Sequence, residues 1–248
     1  MDRPIHSLFD VTGKKVLVSG AARGNGRAIA DGFVQAGAHV IYLDRSFSAE
    51  VRQDIPKGNL VHEMNVTDKA GLEKLLADIG AIDVLVNNAG ITLSAEEHPD
   101  TYWDDTIAVN LTAAYHLALL AADGMKENGG GSIINITSIS AHIGSAGNPA
   151  YHASKGGLRF LAKGLANDFG PYNVRVNNIC PGYIRTSMTQ KSFSSSERHK
   201  MISDRTMLAR WGESEDLVGT CLFLASEASS YITGSDIMVD GGMVNKGF

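Results

Sequence analysis

Tyr151 and Lys155 form a Tyr-x-x-x-Lys arrangement that can carry out acid–base chemistry, and Ser138 lies 13 residues before the tyrosine. If Tyr151 opens a helix, Lys155 follows one turn later on the same face, and its ammonium can approach the phenol oxygen. A free tyrosine has a pKa of about 10 and is a poor base at neutral pH. Lowering that pKa to about 7 needs roughly 4 kcal/mol, which one cation at about 4 Å supplies in an effective dielectric near 20. Ser138 would then hold the reacting oxygen while Tyr151 exchanges the proton.

The alternative is that Tyr151 and Lys155 are ordinary residues on a helix surface. Tyr-x-x-x-Lys is a short pattern that arises often by chance, so the pair alone does not identify an enzyme. The catalytic interpretation therefore depends on the elements around the pair and on whether they provide a cofactor site.

Short, wholly apolar runs alternate with helical patterns along the chain. The runs predict strands at 15–19, 39–43, 60–64, 84–87, 132–136, 174–179 and 237–239. Helical spacing predicts helices at 27–36, 68–79 (capped by Thr67), 102–122, 151–169 and 215–225. Such alternation is typical of a parallel sheet covered by helices on both faces. The sequence therefore predicts an α/β fold, a Rossmann-type doubly wound sheet in a three-layer sandwich, as a single dinucleotide-binding domain over 1–248.

Composition limits the kinds of partner. The chain carries 22 basic and 27 acidic residues, a formal charge of −5 and a pI near 5.9, which argues against nucleic acid as a partner. Cys180 and Cys221 have no CxxC spacing, so we expect no metal site and a reducing compartment. The stretch 1–15 has no apolar leader pattern, and no apolar run of 18 residues is evident, so we expect a cytoplasmic protein without a membrane span.

Three glycines follow the first predicted strand. Gly20, Gly24 and Gly26 would let backbone N–H groups and a helix N-terminus approach a pyrophosphate. The alternative is a helix cap built from small residues for close packing. Because the glycines lie at the first strand-to-helix junction, the dinucleotide interpretation is favoured.

Asp44 follows the second predicted strand, where a carboxylate can bind an adenosine ribose and repel a 2′-phosphate. This position favours NAD. Arg23 and Arg45 leave NADP open, because either guanidinium can pair with a 2′-phosphate. All three side chains can also be solvated loop charges.

Several motifs together resemble the short-chain dehydrogenase/reductase family, in the expected order and over nearly the whole chain. They are the glycines at 20–26, Asn87-Asn88-Ala89-Gly90, Asn110, Ser138, Tyr151-x-x-x-Lys155 and Pro181-Gly182. The resemblance implies an NAD(P)-dependent enzyme that transfers a hydride between nicotinamide and a secondary alcohol or ketone. It also implies a homotetramer acting on a small molecule, with Asn110, Ser138, Tyr151 and Lys155 as the catalytic set.

The resemblance also implies where the cofactor lies. Asn65 and Val66 would contact the adenine, and Asn110 would bend its helix and hold a water that joins Lys155 to solvent. The expected cofactor-binding residues are Gly20, Arg23, Gly24, Asn25, Gly26, Asp44, Arg45, Asn65, Val66, Asn88, Ala89, Gly90, Tyr151, Lys155, Pro181, Gly182, Ile184 and Thr186. The chain departs from the family pattern at Ser19 (usually Thr), Asn25 (usually apolar) and Asn65 (usually Asp).

The substrate is less strongly indicated. The chain resembles the sugar-acid and polyol branch, which includes gluconate 5-dehydrogenase-like enzymes, through motifs such as Ala209-Arg-Trp-Gly212 and Val239-Asp-Gly-Gly-Met243. These motifs also occur in 3-oxoacyl-carrier-protein reductases, an NADPH-dependent alternative. A dinucleotide sensor without turnover is the other alternative, although such proteins usually lack the tyrosine or lysine.

The loops around the site provide candidate substrate contacts. We expect His142 and Asn148, together with Ser138 and Tyr151, to face the substrate, although a loop histidine is more commonly solvent-facing. The polar, weakly patterned segment 183–214 is expected to be a mobile substrate lid. Its arginines, Arg185, Arg205 and Arg210, either receive a substrate carboxylate or are simply solvated.

Overall fold

A computed structural model describes residues 4–247 and contains one seven-stranded parallel sheet. The strands are β1 (Lys15–Ser19), β2 (His39–Asp44), β3 (Leu60–Glu63), β4 (Val84–Asn87), β5 (Gly131–Ile136), β6 (Val174–Pro181) and β7 (Asp236–Val239). Their order across the sheet is β3-β2-β1-β4-β5-β6-β7. The direction of winding reverses between β1 and β4, so the crevice at which such sheets bind ligands lies beyond the carboxyl ends of these two strands.

Nine α-helices lie within the described residues 4–247. They are α1 (Gly24–Gln35), α2 (Ala49–Asp54), α3 (Lys69–Ile79), α4 (Tyr102–Ile107), α5 (Ala113–Glu127), α6 (Pro149–Phe169), α7 (Gln190–Ser194), α8 (Ser196–Arg205) and α9 (Val218–Ala225). A π-helical segment, Ala108–Thr112, joins α4 to α5. Short 3-10 turns occupy Ile5–Phe9, Ile139–Ala141, Gly170–Tyr172, Ser214–Leu217 and Glu227–Ser229.

Successive strand residues point to opposite faces of the sheet, and both faces are buried. On one face, Phe33 of α1 and Leu224 of α9 pack against strand residues such as Val18. On the other, Leu117 of α5 and Leu165 of α6 pack in a second core with α3. Because both faces need apolar residues, the strands read as continuous apolar runs rather than alternating ones. The three-layer arrangement expected from the sequence is confirmed.

Several boundaries differ from the sequence prediction. The polar stretch at 46–58 contains α2, which Ser48 caps by accepting a hydrogen bond from the Val51 amide. The cap of α3 is Asp68 rather than Thr67, because the Asp68 carboxylate accepts from the Gly71 amide. The segment 183–214, which the sequence analysis describes as weakly patterned, contains α7 and α8. Ile202 of α8 is buried.

One helical run bears on the expectation of no membrane-spanning stretch without contradicting it. Among residues 4–247, the helical run Tyr102–Glu127 is 26 residues long and holds an 18-residue window with a mean hydropathy of 1.2, so by length and composition alone it could cross a membrane. One face of this run packs in the core through Ala113, Leu117 and Met125. A core helix of this kind is apolar because it packs on a sheet.

Helices α1 and α9 pack so closely that the addition of one methyl group at Gly32 tests the contact between them. A Cβ atom at Gly32 would lie 2.3 Å from Cγ1 of Val218, a stiff β-branched side chain. We expect Gly32→Ala to lower the free energy of unfolding by about 1–3 kcal/mol, measured by urea denaturation.

Gly164→Ala is the matched control, because Gly164 is also helical and its Cβ would meet nothing within 4 Å in the described chain. It should raise the free energy of unfolding by about 0.5–1 kcal/mol through helix propensity. A Gly32→Ala protein as stable as the parent would contradict the packing described here.

Candidate active site

Helix α6 begins two residues before Tyr151, at Pro149, and its start is fixed by several contacts. Asn148 is the N-cap, and its Oδ1 accepts hydrogen bonds from the Tyr151 amide (3.2 Å) and from the Tyr102 hydroxyl (3.1 Å). His152 accepts from the Ser145 amide at Nε2 (3.0 Å), and its Nδ1 lies 2.6 Å from the Asn148 carbonyl. The loop before the helix is therefore tied to the first turn that carries Tyr151.

Lys155 is almost completely buried, with 4% of its surface exposed. Its Nζ donates to the Ile136 carbonyl at the end of β5 (2.8 Å) and lies 5.8 Å from the centre of the Tyr151 ring. Burial lowers the pKa of Lys155 to about 8, against a smaller opposing effect from nearby Cys180. The ammonium is thus held by a backbone carbonyl and not placed directly on the phenol oxygen.

The pKa of Tyr151 is raised, not lowered as the spacing of the pair suggested. Burial is the main cause; a hydrogen bond with the Ser138 side chain acts in the opposite direction, and nearby Tyr183 raises the pKa further. These protein groups alone therefore do not lower the pKa of Tyr151 as expected, because desolvation of the phenolate outweighs the hydrogen bond from Ser138.

Ser138 lies just beyond β5, in extended conformation, where it caps the 3-10 turn Ile139–Ala141. Its Oγ accepts from the Ser140 amide at 3.0 Å. This bond fixes the oxygen as an acceptor on one side and leaves the hydroxyl proton for another oxygen. The turn thereby presents the hydroxyl toward Tyr151, as the effect on the tyrosine pKa indicates.

Asn110 is fully buried in the π-helical segment between α4 and α5. Its Oδ1 accepts from the Ile91 amide (2.8 Å), while its Nδ2 donates to the Ile91 carbonyl (2.9 Å) and to Ser154 Oγ (3.1 Å). A Cβ atom at Gly90 would lie 3.4 Å from Asn110 Oδ1 and 3.5 Å from Lys155 Nζ. Asn110 is therefore placed beside the lysine, and its role in a water relay remains a prediction.

The glycine loop at the end of β1 leaves backbone donors available. Helix α1 starts at Gly24, and within residues 4–247 its N-cap Arg23 receives no hydrogen bond from the helix at its side chain. The N–H groups of the first turn of a helix need partners, and the helix dipole favours an anion there. This end of α1 fits a pyrophosphate.

Ser19 joins the glycine loop to the loop after β4. The family usually has threonine at this position, and serine keeps the hydroxyl that makes the contact. Its hydroxyl accepts from the amides of Asn88 and Ala89 at 3.1 Å each. The Asn88 side chain in turn donates to the carbonyls of Ser19 and Gly20. A Cβ atom at Gly20 would lie 2.8 Å from Ala89 Cα, so the two loops can approach only because Gly20 has no side chain.

The acidic residue after β2 is held in place by the backbone. Asp44 accepts from the Ala22 amide at Oδ2 (2.9 Å) and from the Arg45 amide at Oδ1 (2.7 Å). Arg23 and Arg45 are exposed beside it. Asn65 Oδ1 accepts from the Thr67 amide. The carboxylate is thus fixed next to the glycine loop, while both guanidinium groups can reach solvent.

Residues after β6 approach the glycine loop from the opposite side. The Gly182 amide donates to the Val239 carbonyl (3.0 Å), and Ile184 forms a parallel bridge with Gly212. A Cβ atom at Gly24 would lie 3.4 Å from Thr186 Cγ2. The structure therefore brings the residues expected at the two ends of the cofactor to the same crevice, together with buried Pro181 and, on the adenine side, buried Val66.

Asn25, one of the departures from the family pattern, contacts the last residue of the expected lid. Its Oδ1 accepts a hydrogen bond from the Ser214 hydroxyl at 2.9 Å. The apolar residue usual in the family would leave that hydroxyl without this partner. Sequence reasoning missed Ser214 because it lies 189 residues away along the chain.

The expected substrate contacts are only partly free. His142 is not solvent-facing: its Nε2 lies 3.4 Å from Cys180 Sγ, and burial is the main cause that lowers its pKa. Asn148 uses both ends of its amide within the protein, since Nδ2 also donates to Thr92 (2.6 Å). A substrate contact through either residue remains a prediction.

The arginines of segment 183–214 differ in how they are held. Arg210 forms a two-point ion pair with Asp216 (2.7 and 2.9 Å) and is therefore engaged. Arg185 lies 3.8 Å from Glu213 and over the Phe193 ring. Arg205 is exposed at the end of α8. Arg210 is thus the least suited of the three to receive a substrate carboxylate.

Comparison with known proteins shows similarity over nearly the whole chain. A family profile described as enoyl-(acyl carrier protein) reductase matches residues 20–244. Gluconate 5-dehydrogenase of Gluconobacter oxydans (strain 621H) is 35% identical over 247 residues, 95% of this chain and 96% of that protein. The 5-keto-D-gluconate 5-reductase of Escherichia coli (strain K12) is 37% identical over 254 residues, 97% of this chain and 99% of that protein.

A solved structure shows the same similarity in three dimensions. The crystal structure of a gluconate 5-dehydrogenase from Burkholderia cenocepacia J2315, in complex with NADP and tartrate, has a TM-score of 0.89. It is 31% identical and covers 97% of this chain and 99% of its own.

Burial of Lys155 predicts that the lysine lowers stability. Its pKa in the folded state, about 8, lies below the ordinary 10.5, so below pH 8 the fold carries a cost of roughly 3 kcal/mol for the buried charge. We expect Lys155→Met to raise the free energy of unfolding of the cofactor-free protein at pH 7 by about 1–2 kcal/mol, because the lost hydrogen bond offsets about 1 kcal/mol of the gain.

This gain should shrink as the pH rises above 8 and reverse to a loss of about 1 kcal/mol near pH 11, where the lysine is largely neutral in both states and only the lost hydrogen bond remains. Urea unfolding at pH 7 and about pH 11 measures both values. Lys163→Met, at a half-exposed position on the same helix, serves as control and should change stability by less than about 0.5 kcal/mol. A less stable Lys155→Met protein at pH 7 would refute the assignment of a costly buried charge.

Proposed function

Because this chain belongs to the short-chain dehydrogenase/reductase family, whose members are NAD(P)-dependent oxidoreductases, we propose that it interconverts a hydroxyl and a keto group of a sugar acid. The observation that carries this proposal is the convergence of Ser138, Tyr151 and Lys155 beyond β5, facing the crevice that the glycine loop opens between β1 and β4. That placement puts a proton-transfer group next to a dinucleotide site.

In the oxidative direction, Tyr151 in its ionised form accepts the proton of the substrate hydroxyl, and Ser138 donates a hydrogen bond to the same oxygen. The hydrogen on the carbinol carbon leaves with its electron pair, and the carbon–oxygen bond becomes a carbonyl. The oxidised nicotinamide supplies the hydride acceptor and a positive charge when bound. That charge and the Lys155 ammonium both favour the phenolate, against the burial that raises the pKa of Tyr151.

Lys155 and Asn110 also connect the site to solvent in this proposal. Lys155 holds the nicotinamide ribose, and the proton accepted by Tyr151 leaves through a water near Asn110. This proton path is supported by the burial of both side chains. It is also supported by their common position beside Gly90, where an added Cβ atom would lie close to each of them. Segment 183–214 acts as the substrate lid.

The sugar-acid class is supported by the relatives described above, two of which act on gluconate or 5-keto-D-gluconate by name. A carboxylate substrate also suits the exposed Arg205 and the half-exposed Arg185, whose partner Glu213 is 3.8 Å away. We propose that one of these two arginines, rather than Arg210, receives the carboxylate.

We propose NAD as the preferred cofactor. Asp44 is held by two backbone amides at the ribose position, so its carboxylate cannot swing aside easily to admit a 2′-phosphate. The NADP in the Burkholderia cenocepacia structure and the exposed Arg23 and Arg45 are the arguments for NADP. We also propose a cytoplasmic homotetramer, in keeping with the two free buried cysteines and the resemblance to the family.

A spectrophotometric panel tests the proposal. We expect turnover of NAD⁺ with gluconate or a related sugar acid and of NADH with the corresponding keto acid, and little with an acetoacetyl thioester. Tyr151→Phe should lower kcat by about 10²–10⁴-fold and leave the dissociation constant for NADH within about two-fold. Tyr172→Phe, at an exposed position, is the matched control.

Three results would count against this function. Substantial activity of Tyr151→Phe would remove the proton-transfer assignment. NADPH-dependent reduction of the thioester with no activity on sugar acids would replace the substrate class by the 3-oxoacyl alternative, and an absence of turnover on every substrate would favour the sensor.

The cofactor preference has its own test. We expect Asp44→Ala to shift the ratio of kcat/KM for NADP to that for NAD upward by about 10–100-fold, because the repulsive carboxylate is removed and Arg23 and Arg45 remain. Asp54→Ala, which removes an exposed carboxylate from α2, is the control. A parent enzyme that already prefers NADP would contradict the assignment of Asp44 as selector.

A further inference from the structure

Four polar residues form an in-register row across the sheet. Asn87 of β4 pairs with Asn135 of β5, which pairs with Asn178 of β6, which pairs with Asp236 of β7. The three asparagines are at most 3% exposed. A continuous polar row inside an otherwise apolar parallel sheet is costly unless its groups bond to one another.

The row is hydrogen-bonded from end to end. Asn87 Nδ2 donates to Asn135 Oδ1 (3.0 Å), Asn135 Nδ2 donates to Asn178 Oδ1 (3.2 Å), and Asn178 Nδ2 donates to Asp236 Oδ1 (2.8 Å). All three amides therefore point their N–H groups toward the carboxylate. We call these four residues the polar row.

The Asn87 end of the polar row is not fully hydrogen-bonded. Asn87 Oδ1 is buried and has no hydrogen-bond partner among the described residues. An acceptor of this kind costs about 1–3 kcal/mol, so the row is not optimised for stability alone. At the other end, burial of Asp236 acts to raise its pKa, but the hydrogen bonds from Asn178 and Arg159 outweigh it and lower the pKa overall.

The polar row is attached to the helix that carries Tyr151. Asn178 Nδ2 also donates to the Arg159 carbonyl (3.0 Å), and Arg159 Nε donates to Asp236 Oδ2 (2.7 Å). Arg159 lies one turn beyond Lys155, which lies one turn beyond Tyr151. Together with the bond from Lys155 to the Ile136 carbonyl, one face of α6 is thus tied to β5, β6 and β7 in succession.

We propose that Asn178, Asp236 and Arg159 are positioning residues that set the distance and rotation of α6 relative to the sheet, and through them the placement of Tyr151 and Lys155 against Ser138. This inference rests on the proposed function of that site. The apolar contacts of α6 permit small sliding and rotation, whereas three hydrogen-bonded ties of defined length do not. A misplacement of about 1 Å at a catalytic group can lower the rate by about 10²-fold.

Asn177 provides a matched control for Asn178. It is the preceding residue and is equally buried. Its side chain makes two hydrogen bonds, against three for Asn178: it donates to the Ile232 carbonyl (2.8 Å) and accepts from the Ser235 amide (3.1 Å). Its side chain lies on the opposite face of the sheet, away from α6. Asn177→Ala and Asn178→Ala should therefore destabilise the protein to a similar degree, but only Asn178→Ala should disturb the site.

The experiment measures kcat, the pH profile of kcat/KM and the dissociation constant for NADH in both variants, with urea unfolding as the measure of stability. We expect Asn178→Ala to lower kcat by about 10-fold or more and to move the acid limb of the profile upward by about 0.5 unit or more. NADH affinity should fall by less than kcat does, because Asn178 lies on β6, three strands away from β1, whose end carries the glycine loop. Asn177→Ala should keep kcat within about two-fold of the parent value and the acid limb of the pH profile within about 0.2 unit.

The groups that face Tyr151 are Ser138 from the end of β5, Lys155 from α6 and Tyr183 from beyond β6, and none of them is changed in either variant. A shift of the profile therefore reports a change in their placement. Equal effects of the two variants on kcat, or an unmoved profile in Asn178→Ala, would overturn the inference while leaving the proposed function intact if Tyr151→Phe is inactive. An active Tyr151→Phe enzyme would overturn both.

A second pair of variants covers the case in which Asn178→Ala does not fold. Arg159→Met removes the tie to β7 at a partly exposed position, whereas Lys163→Met removes a cation one turn further on, 3.9 Å from the same carboxylate. We expect Arg159→Met to lower kcat by about three-fold or more and to shift the profile in the same direction, and Lys163→Met to do neither. The same result for both variants would overturn the inference, because only the lost charge would then matter.

Discussion

The burial of an ammonium group at the junction of α6 and β5 is the constraint on which this site depends. Lys155 is 4% exposed, and its ammonium donates to the Ile136 carbonyl. Such a charge is expensive, and the pKa falls to about 8 because the fold partly disfavours it. It is retained because a cation in a dry site acts on its neighbours far more strongly than one in water. The site therefore gives up stability for electrostatic effect.

The same burial acts against Tyr151, whose pKa is raised by desolvation more than the bond with Ser138 lowers it. The protein groups position the phenol but do not ionise it; in the proposed mechanism, the positive charge of an oxidised nicotinamide would supply the remaining stabilisation of the phenolate. This requirement couples chemistry to cofactor occupancy. The placement of α6 matters for the positioning inference because burial and the bond with Ser138 act on the pKa of Tyr151 in opposite directions.

The crevice is assembled from chain segments that are far apart in sequence. Ser19 holds the loop after β4, and Asn25 of the glycine loop accepts a hydrogen bond from Ser214, just after α8 and the turn that follows it. Ile184 and Gly212 form a backbone bridge at the base of the expected lid, and Thr186 lies beside Gly24. The cofactor loop and the lid base thus share contacts, so a dinucleotide bound at the one is adjacent to the other.

Local pattern alone determined the strands, most helices, the three-layer class and the set of residues at the strand ends, because buried parallel strands must be apolar on both faces and their connecting turns must carry small or polar residues. The family resemblance added roles for residues that no local rule could assign. The short or polar helices α2 and α8 were not predicted, because their apolar residues show only weak helical spacing and their capping side chains determine where they begin. Only the tertiary structure revealed the raised pKa of Tyr151, the engagement of Arg210 by Asp216, the partner of Asn25 and the polar row. Each of these depends on which distant groups share a buried volume, and the free energy of a charge or an amide is set by that volume and not by its neighbours along the chain.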